Sequence, residues 1–399
     1  MNDPWDRFVR DAEHREVAGY FEVAPPPGAV RGRSVSFVSP EEVREVSARS
    51  SPTEVAGRID RFLRGAPGRA VIGYLGFEAF GLFEPRLAPG PSGSPFPIGS
   101  FALVDRPVRA AVPATTPRRP RRRSRVLPRP LEDSLPASSF EASVRRLIEE
   151  IRNGEAYQVV LAHRRAWKRP PDLLRRAGEL RRTERFAFFY FLRFGDREIV
   201  GATPESVVEV EGSRAFLNPI AGTIPRGTPK SARVPLSVDP KELAEHRMLV
   251  DLARNDLGTV ARAGSVRLLS REHLERYARL DHLVTRVGAQ LRPRVGPWDV
   301  LAAAFPAGTV SGAPKIRATE LLRREERSWR GPYAGTVGLL EGRGRAKWAL
   351  AIRTAFAAGP RLYTAAGAGI VHRSEPRREF EETLAKLAHV EATLVGGPG

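Results

Sequence analysis

The chain has 399 residues, 41% of them hydrophobic, and 65 Lys+Arg against 46 Asp+Glu give a formal net charge of +19. At roughly 150 residues per domain that allows one large domain or two to three smaller ones, and the apolar content excludes intrinsic disorder. No run reaches about 18 apolar residues and charges salt the N-terminus, which predicts a cytoplasmic protein with no membrane partner. The absence of cysteine excludes disulfides, thiolate metal sites and thiol nucleophiles.

In chain order, residues 34–38 and 69–75 read as strands, followed by a Gly/Pro-rich patch at 85–97. Seven arginines (Arg118, Arg119, Arg121, Arg122, Arg123, Arg125, Arg129) lie within the Pro-rich stretch 115–130, which reads as a solvated loop or linker. With no zinc-finger cysteines, no RNP-like aromatic motif and no basic region leading into heptads, the charge argues for no nucleic-acid partner. Residues 137–153 predict a helix with Ser138 or Ser139 as N-cap, Val144, Leu147, Ile148 and Ile151 at helical spacing, and Asn153-Gly154 closing it. Strands are expected at 157–163, 187–194, 198–201, 206–210, 333–340, 346–356 and 362–366. Helices are expected from Asp239-Pro240 through Leu252 and from Ser374 to about Val395. Strands and helices come in runs without regular alternation, which makes the fold class α+β with mostly antiparallel sheet.

Two helices carry paired carboxylates at i, i+3: Glu242 with Glu245, and Glu379 with Glu382. Each pair is either solvated surface or, if the helices face one another, an oxygen-only set suited to Mg²⁺ and an anionic ligand. The run Ala365 to Ile370 (AAGAGI) is either a tight turn or a place where backbone N–H groups approach a carboxylate; no GxGxxG opens a helix there. The loop Pro306 to Lys315 lacks P-loop spacing. Arg353 stands in an apolar stretch read as strand, where a lone guanidinium requires a carboxylate partner, structural or ligand. His282, beside Asp281 at the end of a Tyr-rich helix or loop, is either a general base or a satisfied core histidine.

Together these segments resemble the chorismate-utilising enzymes, and within them the chorismate-aminating large subunits of anthranilate synthases. The resemblance runs from Phe140 to about Val390 through Pro219-Ile220-Ala221-Gly222-Thr223, the stretch Ala244 to Gly258 (AEHRMLVDLARNDLG), the AGTVSGAPK loop, Ala351-Ile352-Arg353-Thr354-Ala355 and the AGAGIV run. Before the linker it rests on Val17-Ala18-Gly19 and Gly73 to Glu78 (GYLGFE). It implies two large, mostly antiparallel sheets packed together with helices outside. It also divides the chain into an N-terminal region 1–110, an Arg/Pro-rich linker 111–130 and a chorismate-binding catalytic region 131–395.

The resemblance implies that Glu245 and Glu382 hold Mg²⁺, with Glu242 and Glu379 supporting through water. Gly367, Ala368 and Gly369 orient the ring carboxylate, Arg353 and Tyr333 hold the enolpyruvyl carboxylate, and Thr223 and Thr309 line the pocket. Glu205 matches the family's general acid, protonating the C4 hydroxyl while ammonia adds at C2. His282 matches the histidine associated with removing the C2 proton as pyruvate leaves. Isochorismate and salicylate synthases place a Lys where this chain has Gln158, and aminodeoxychorismate synthases often place one where it has Ala221. Both positions point to amination at C2 and to anthranilate, the first step of tryptophan biosynthesis, rather than to isochorismate or aminodeoxychorismate; an aminodeoxyisochorismate synthase, stopping before pyruvate loss, is the alternative, and His282 argues against it. Glutamine amidotransferases of the relevant type use a Cys nucleophile, so a separate glutamine amidotransferase subunit, and hence a hetero-oligomer, is expected. Relatives inhibited by tryptophan usually carry Leu-Leu-Glu-Ser near the N-terminus and Asn-Pro-Ser-Pro-Tyr-Met further on. Here Tyr20-Phe21-Glu22-Val23 and Glu184-Arg185-Phe186-Ala187-Phe188-Phe189 stand instead, and feedback is expected to be absent or greatly weakened.

Overall fold

Strands Ala70–Leu75 (AVIGYL) and Gly99–Val104 (GSFALV) are buried along their whole length, so neither can lie on a solvated face; both belong in the middle of a layered structure. A computed structural model describes residues 3–25, 29–87, 93–113, 127–184, 186–225, 240–276 and 280–396. It contains two antiparallel sheets of ten strands each. The first runs from edge to edge through Gly312–Ala313, Gln158–Lys168, Arg361–Ile370, Thr354–Ala358, Arg197–Thr203, Phe188–Phe194, Val17–Val23, Arg31–Val38 and Val108–Pro113, with Glu132–Asp133 beside Gln158–Lys168. The second runs through Ile220–Pro225, Leu280–Gln290, Arg214–Leu217, Ser206–Glu211, Arg345–Leu350, Thr336–Glu341, Ala70–Leu75, Gly99–Val104 and Glu42–Val46, with Arg267–Arg276 beside Leu280–Gln290. Strands from residues before the basic stretch and after it pair within both sheets: Val17–Val23 against Phe188–Phe194, and Ala70–Leu75 against Thr336–Glu341.

The sheets share one apolar core, in which Tyr74 of the second meets Phe194 of the first. A second cluster lies on the outer face of the first sheet, where Trp5, Leu173, Leu180 and Leu394 from three helices cover Phe189, Phe191, Val200 and Leu362. Among the described residues no helix is long and apolar enough to cross a membrane. The basic residues 114–126 lie outside the described residues.

The expected α+β architecture is present, and the helix predicted at 137–153 is Ala137–Arg152, with Pro136 at the N-cap and no side-chain cap from Ser138 or Ser139. Four expectations are corrected. The stretch 346–356 is two strands, Arg345–Leu350 and Thr354–Ala358, in different sheets, with Arg353 at the crossing in left-handed backbone (φ 51°). The AAGAGI run is no turn: it continues strand Arg361–Ile370. Tyr333 precedes its strand, which begins at Thr336. His282 lies in strand Leu280–Gln290 and not at the end of a helix or loop.

The outer cluster is pinned by a buried charge pair. Arg181 donates to Glu22 Oε2 at 2.7 Å and to Asp3 Oδ2 at 2.7 Å, and the Tyr20 hydroxyl donates to the same Glu22 oxygen at 2.8 Å. Removing one member of such a pair strands the other charge, at a cost of about 3–5 kcal/mol. Arg181→Ala is expected to lower the urea unfolding free energy by that amount, and the double variant Arg181→Leu/Glu22→Leu to recover most of it. A loss below about 1 kcal/mol in the single variant would remove the pair from the list of fold determinants.

Candidate active site

The chain crosses between the sheets at two neighbouring points, and both crossings carry chemistry. Pro204-Glu205 joins Arg197–Thr203 of the first sheet to Ser206–Glu211 of the second, and Ala351-Ile352-Arg353 joins Arg345–Leu350 of the second to Thr354–Ala358 of the first. Backbone bonds lock the two together, Leu350 N–H to Glu205 O at 2.9 Å and Ala202 N–H to Arg353 O at 3.4 Å. Glu205 and Arg353 therefore face one cavity of about 740 Å³ at the end of the shared core.

Glu205 is 8% exposed and accepts from the Thr309 hydroxyl at 2.7 Å, Thr309 being set by the short helix Gly308–Ser311. Burial pushes its carboxyl from the ordinary 4.5 up to about 7, against the opposing pull of the Thr309 bond and of the Arg353 and Lys386 charges. That value leaves the group able to carry a proton near neutral pH. Arg353 has a structural partner, Glu184, at 3.7 Å, and Glu184 lies 3.5 Å from His389.

Strand Arg361–Ile370 outruns its neighbour: Thr354–Ala358 pairs only residues 361–364, while 365–370 pair with Gln158–Lys168 on the other side alone among the described residues. Gly367 and Gly369 line the cavity along this free edge, whereas Ala368 between them is fully buried. A Cβ on Gly369 would sit 2.5 Å from Gln158 Nε2 and push that amide aside, and one on Gly367 would sit tightly, 3.0 Å from the Leu161 carbonyl and 3.2 Å from the Tyr333 hydroxyl. Burial raises the Tyr333 phenol to about 12, which keeps it protonated as a donor.

Helices Pro240–Gly258 and Pro376–Leu394 bring Glu245, Glu379 and Glu382 to the same cavity. Glu245 accepts from Gln158 Nε2 at 2.9 Å. Glu382, half-exposed, pairs with Lys386 Nζ at 2.7 Å, and that ammonium also donates to Gly367 O at 2.9 Å. Thr223 and His282 are register partners across Ile220–Pro225 and Leu280–Gln290; their side chains and that of Glu242 lie outside the described residues. The structure thus gathers Glu205, Thr309, Tyr333, Arg353, Gly367, Gly369, Glu245, Glu379 and Glu382 around one space. Sequence reasoning missed Lys386, Glu184 and His389. Lys386 could have been found, because it lies at i+4 from Glu382 and i+7 from Glu379 on the same helical stripe.

The sequence profile of the chorismate binding enzyme family matches residues 28–392, and the chain belongs to that family. It is 39% identical over 267 residues to anthranilate synthase component 1 of Saccharolobus solfataricus, covering 66% of this chain and 63% of the relative. It is 44% identical over 253 residues to the Aquifex aeolicus protein of the same name, covering 62% and 51%. It is also 40% identical over 284 residues to the 2-amino-4-deoxychorismate synthase of Streptomyces globisporus, covering 67% and 57%. The matched stretches thus span about half to two thirds of these curated relatives. Among solved structures, anthranilate synthase component I of Streptococcus pneumoniae superposes with a TM-score of 0.78 at 28% identity, over 93% of this chain and 94% of that one. The menaquinone-specific isochorismate synthase of Escherichia coli shares the fold, with a TM-score of 0.75 at 18% identity over 99% and 92% of the two chains.

Proposed function

We propose that the chain is the chorismate-aminating subunit of an anthranilate synthase. The observation that carries this reading is the buried Glu205 carboxyl, hydrogen-bonded to Thr309 and facing the same cavity as Arg353 and the two carboxylate helices. Glu205 gives its proton to the C4 hydroxyl, which leaves as water as ammonia bonds to C2. The C2 ammonium so formed returns a proton to Glu205; His282 then takes the C2 proton as the ring C3–O bond breaks, and the enolpyruvate released takes up a proton and departs as pyruvate, leaving the aromatic ring. Arg353 and the Tyr333 hydroxyl hold the enolpyruvyl carboxylate, Thr223 lines the pocket, and the 367–369 edge with Lys386 holds the ring carboxylate. Gln158 supports amination over hydration: where isochorismate synthases place a Lys, this chain has an amide that donates to Glu245.

The residues fit Mg²⁺. Besides the proton-carrying Glu205, the cavity carries Glu184, Glu245, Glu375, Glu379 and Glu382 against Arg353, Arg373, Arg378 and Lys386, so a ligand with two carboxylates gains from a cation that enters with it. Among the described residues no three His, Asp or Glu side chains gather into a cation site. Mg²⁺ keeps several waters and takes few protein ligands. Glu245 and Glu382 would hold it, with Glu242 and Glu379 supporting through water, and the ion would neutralise the ring carboxylate.

A second reading is favoured by the Streptomyces globisporus relative, a 2-amino-4-deoxychorismate synthase by name: amination without loss of pyruvate. Purified protein with chorismate, magnesium and an ammonium salt at alkaline pH decides between them. Anthranilate fluorescence with one pyruvate per anthranilate is expected; an aminated product that retains its pyruvyl group would support the second reading. Glutamine is expected to be ineffective until a separate amidotransferase subunit is added, since the chain has no cysteine. Glu245→Gln and Glu382→Gln should each cost more than the about 10- to 100-fold associated with losing an outer partner of a metal ligand. Near-normal rates in both at limiting magnesium would discard the metal assignment.

Weak feedback has physical support as well. Val23 stands opposite Phe188 in adjacent strands, and the indole of Trp5 packs edge-on against Tyr20 and Phe189 at 5.1 Å from each, so bulky protein side chains fill the space between the two segments. Arg185 lies outside the described residues. Tryptophan titrated against initial rate at subsaturating chorismate should leave the rate unchanged through the low micromolar range; half-inhibition there would contradict the expectation.

A further inference from the structure

Behind the cavity wall lies a buried network with no role in the scheme above. Arg330, 4% exposed, donates Nη1 to the Val310 carbonyl and Nη2 to the Val160 carbonyl, each at 2.7 Å. Its Nε and Nη2 reach the two oxygens of Glu326 at 2.8 and 2.5 Å. Glu326 Oε1 also accepts the Ala162 N–H at 2.9 Å, and Ala162 is the register partner of Gly367. From the other side Glu78, in the GYLGFE segment, accepts the backbone N–H groups of Arg330 at 2.7 Å and Gly331 at 3.1 Å. The guanidinium lies 4.2 Å from the centre of the Phe77 ring.

Three of these contacts reach the cavity wall or the strand behind it. Val310 follows Thr309, Val160 lines the cavity, Ala162 backs Gly367, and Tyr333 stands three residues beyond Arg330. Two carbonyls and a carboxylate arranged around one centre require donors in several fixed directions, which the guanidinium fork supplies and a single ammonium does not.

We propose that Arg330, clamped by Glu326 and by Glu78, is a positioning residue that sets the Thr309 hydroxyl against Glu205 and the Tyr333 hydroxyl against the Gly367 edge. By this route a carboxylate from residues 1–110 shapes a site whose reacting groups all come from residues after 131. A purely structural ion pair would stabilise the fold without touching the Glu205 carboxyl; a positioning role moves it. Arg330→Lys keeps the charge but releases the Val310 carbonyl, so Thr309 drifts from Glu205. The hydrogen bond that favours the ionised carboxyl is then lost.

The test reads the Glu205 titration directly, as the pH dependence of its protonated carboxyl stretch by difference infrared spectroscopy against Glu205→Gln. In Arg330→Lys the midpoint should rise by about one unit, and kcat with chorismate, magnesium and ammonium should fall about tenfold or more. Glu78→Gln, which sets an amide N–H₂ against one of the two backbone N–H groups, should shift the midpoint in the same direction by less and serves if Arg330→Lys does not fold. A folded Arg330→Lys with a wild-type midpoint overturns the proposal whatever its activity. If Arg330→Lys does not fold, an unshifted midpoint in Glu78→Gln does so. The kcat arm rests on the function proposed above and the titration arm does not. A wild-type protein inactive on chorismate would sink the function and leave the midpoint shifts standing, whereas an active wild type with unshifted variants would sink only the clamp.

Discussion

The site depends on keeping one carboxyl dry. Glu205 sits where the chain leaves one sheet for the other, its backbone carbonyl tied to Leu350 and its side chain left with the Thr309 hydroxyl as hydrogen-bond partner. Water would return the group to an ordinary carboxylate, ionised and useless as an acid at neutral pH. Burial between two sheets favours the protonated form, and the cost of that burial is met by the rest of the core. Arg353 arrives by the neighbouring crossing in the opposite direction. The architecture thus delivers a buried carboxyl and a guanidinium to one cavity without either being part of a strand.

The second constraint is charge. A cavity with more carboxylates than cations is an odd receptacle for a dicarboxylate ligand, and the conflict is resolved if a divalent cation joins the two. Lys386 mediates on the protein side, reaching from Glu382 to the Gly367 carbonyl and tying the carboxylate helix to the small-residue edge. The glycines of that edge matter for a reason independent of turns: a Cβ on Gly369 would displace the Gln158 amide, and one on Gly367 would crowd the Leu161 carbonyl and the Tyr333 hydroxyl.

Much of this was legible in the sequence because the signals were local. Paired carboxylates at i, i+3 mark helix faces wherever the helices end up, and the string of motifs gave family and fold together. What was illegible was set by distant partners. Arg353 looked like a strand residue because apolar residues flank it on both sides, and only the two-sheet topology shows that the flanks belong to different sheets. The AAGAGI run looked like a turn because small residues are common in turns; its strand geometry comes from pairing with residues 158–168, some two hundred positions earlier. Ser138 and Ser139 were reasonable caps, yet the helix starts at Ala137 behind Pro136. Lys386 was overlooked although its spacing was plain, because a Lys near Glu on a helix reads first as a surface pair.

If burial raises the Glu205 carboxyl as argued, a share of it keeps its proton at neutral pH, and its own titration tests this most directly. Difference infrared spectroscopy of the ligand-free protein against Glu205→Gln isolates the carboxyl stretch of this one group. A midpoint near 7 is expected. A midpoint at the ordinary 4.5 would contradict it, since a carboxyl already ionised at neutral pH has no proton to give to a leaving hydroxyl.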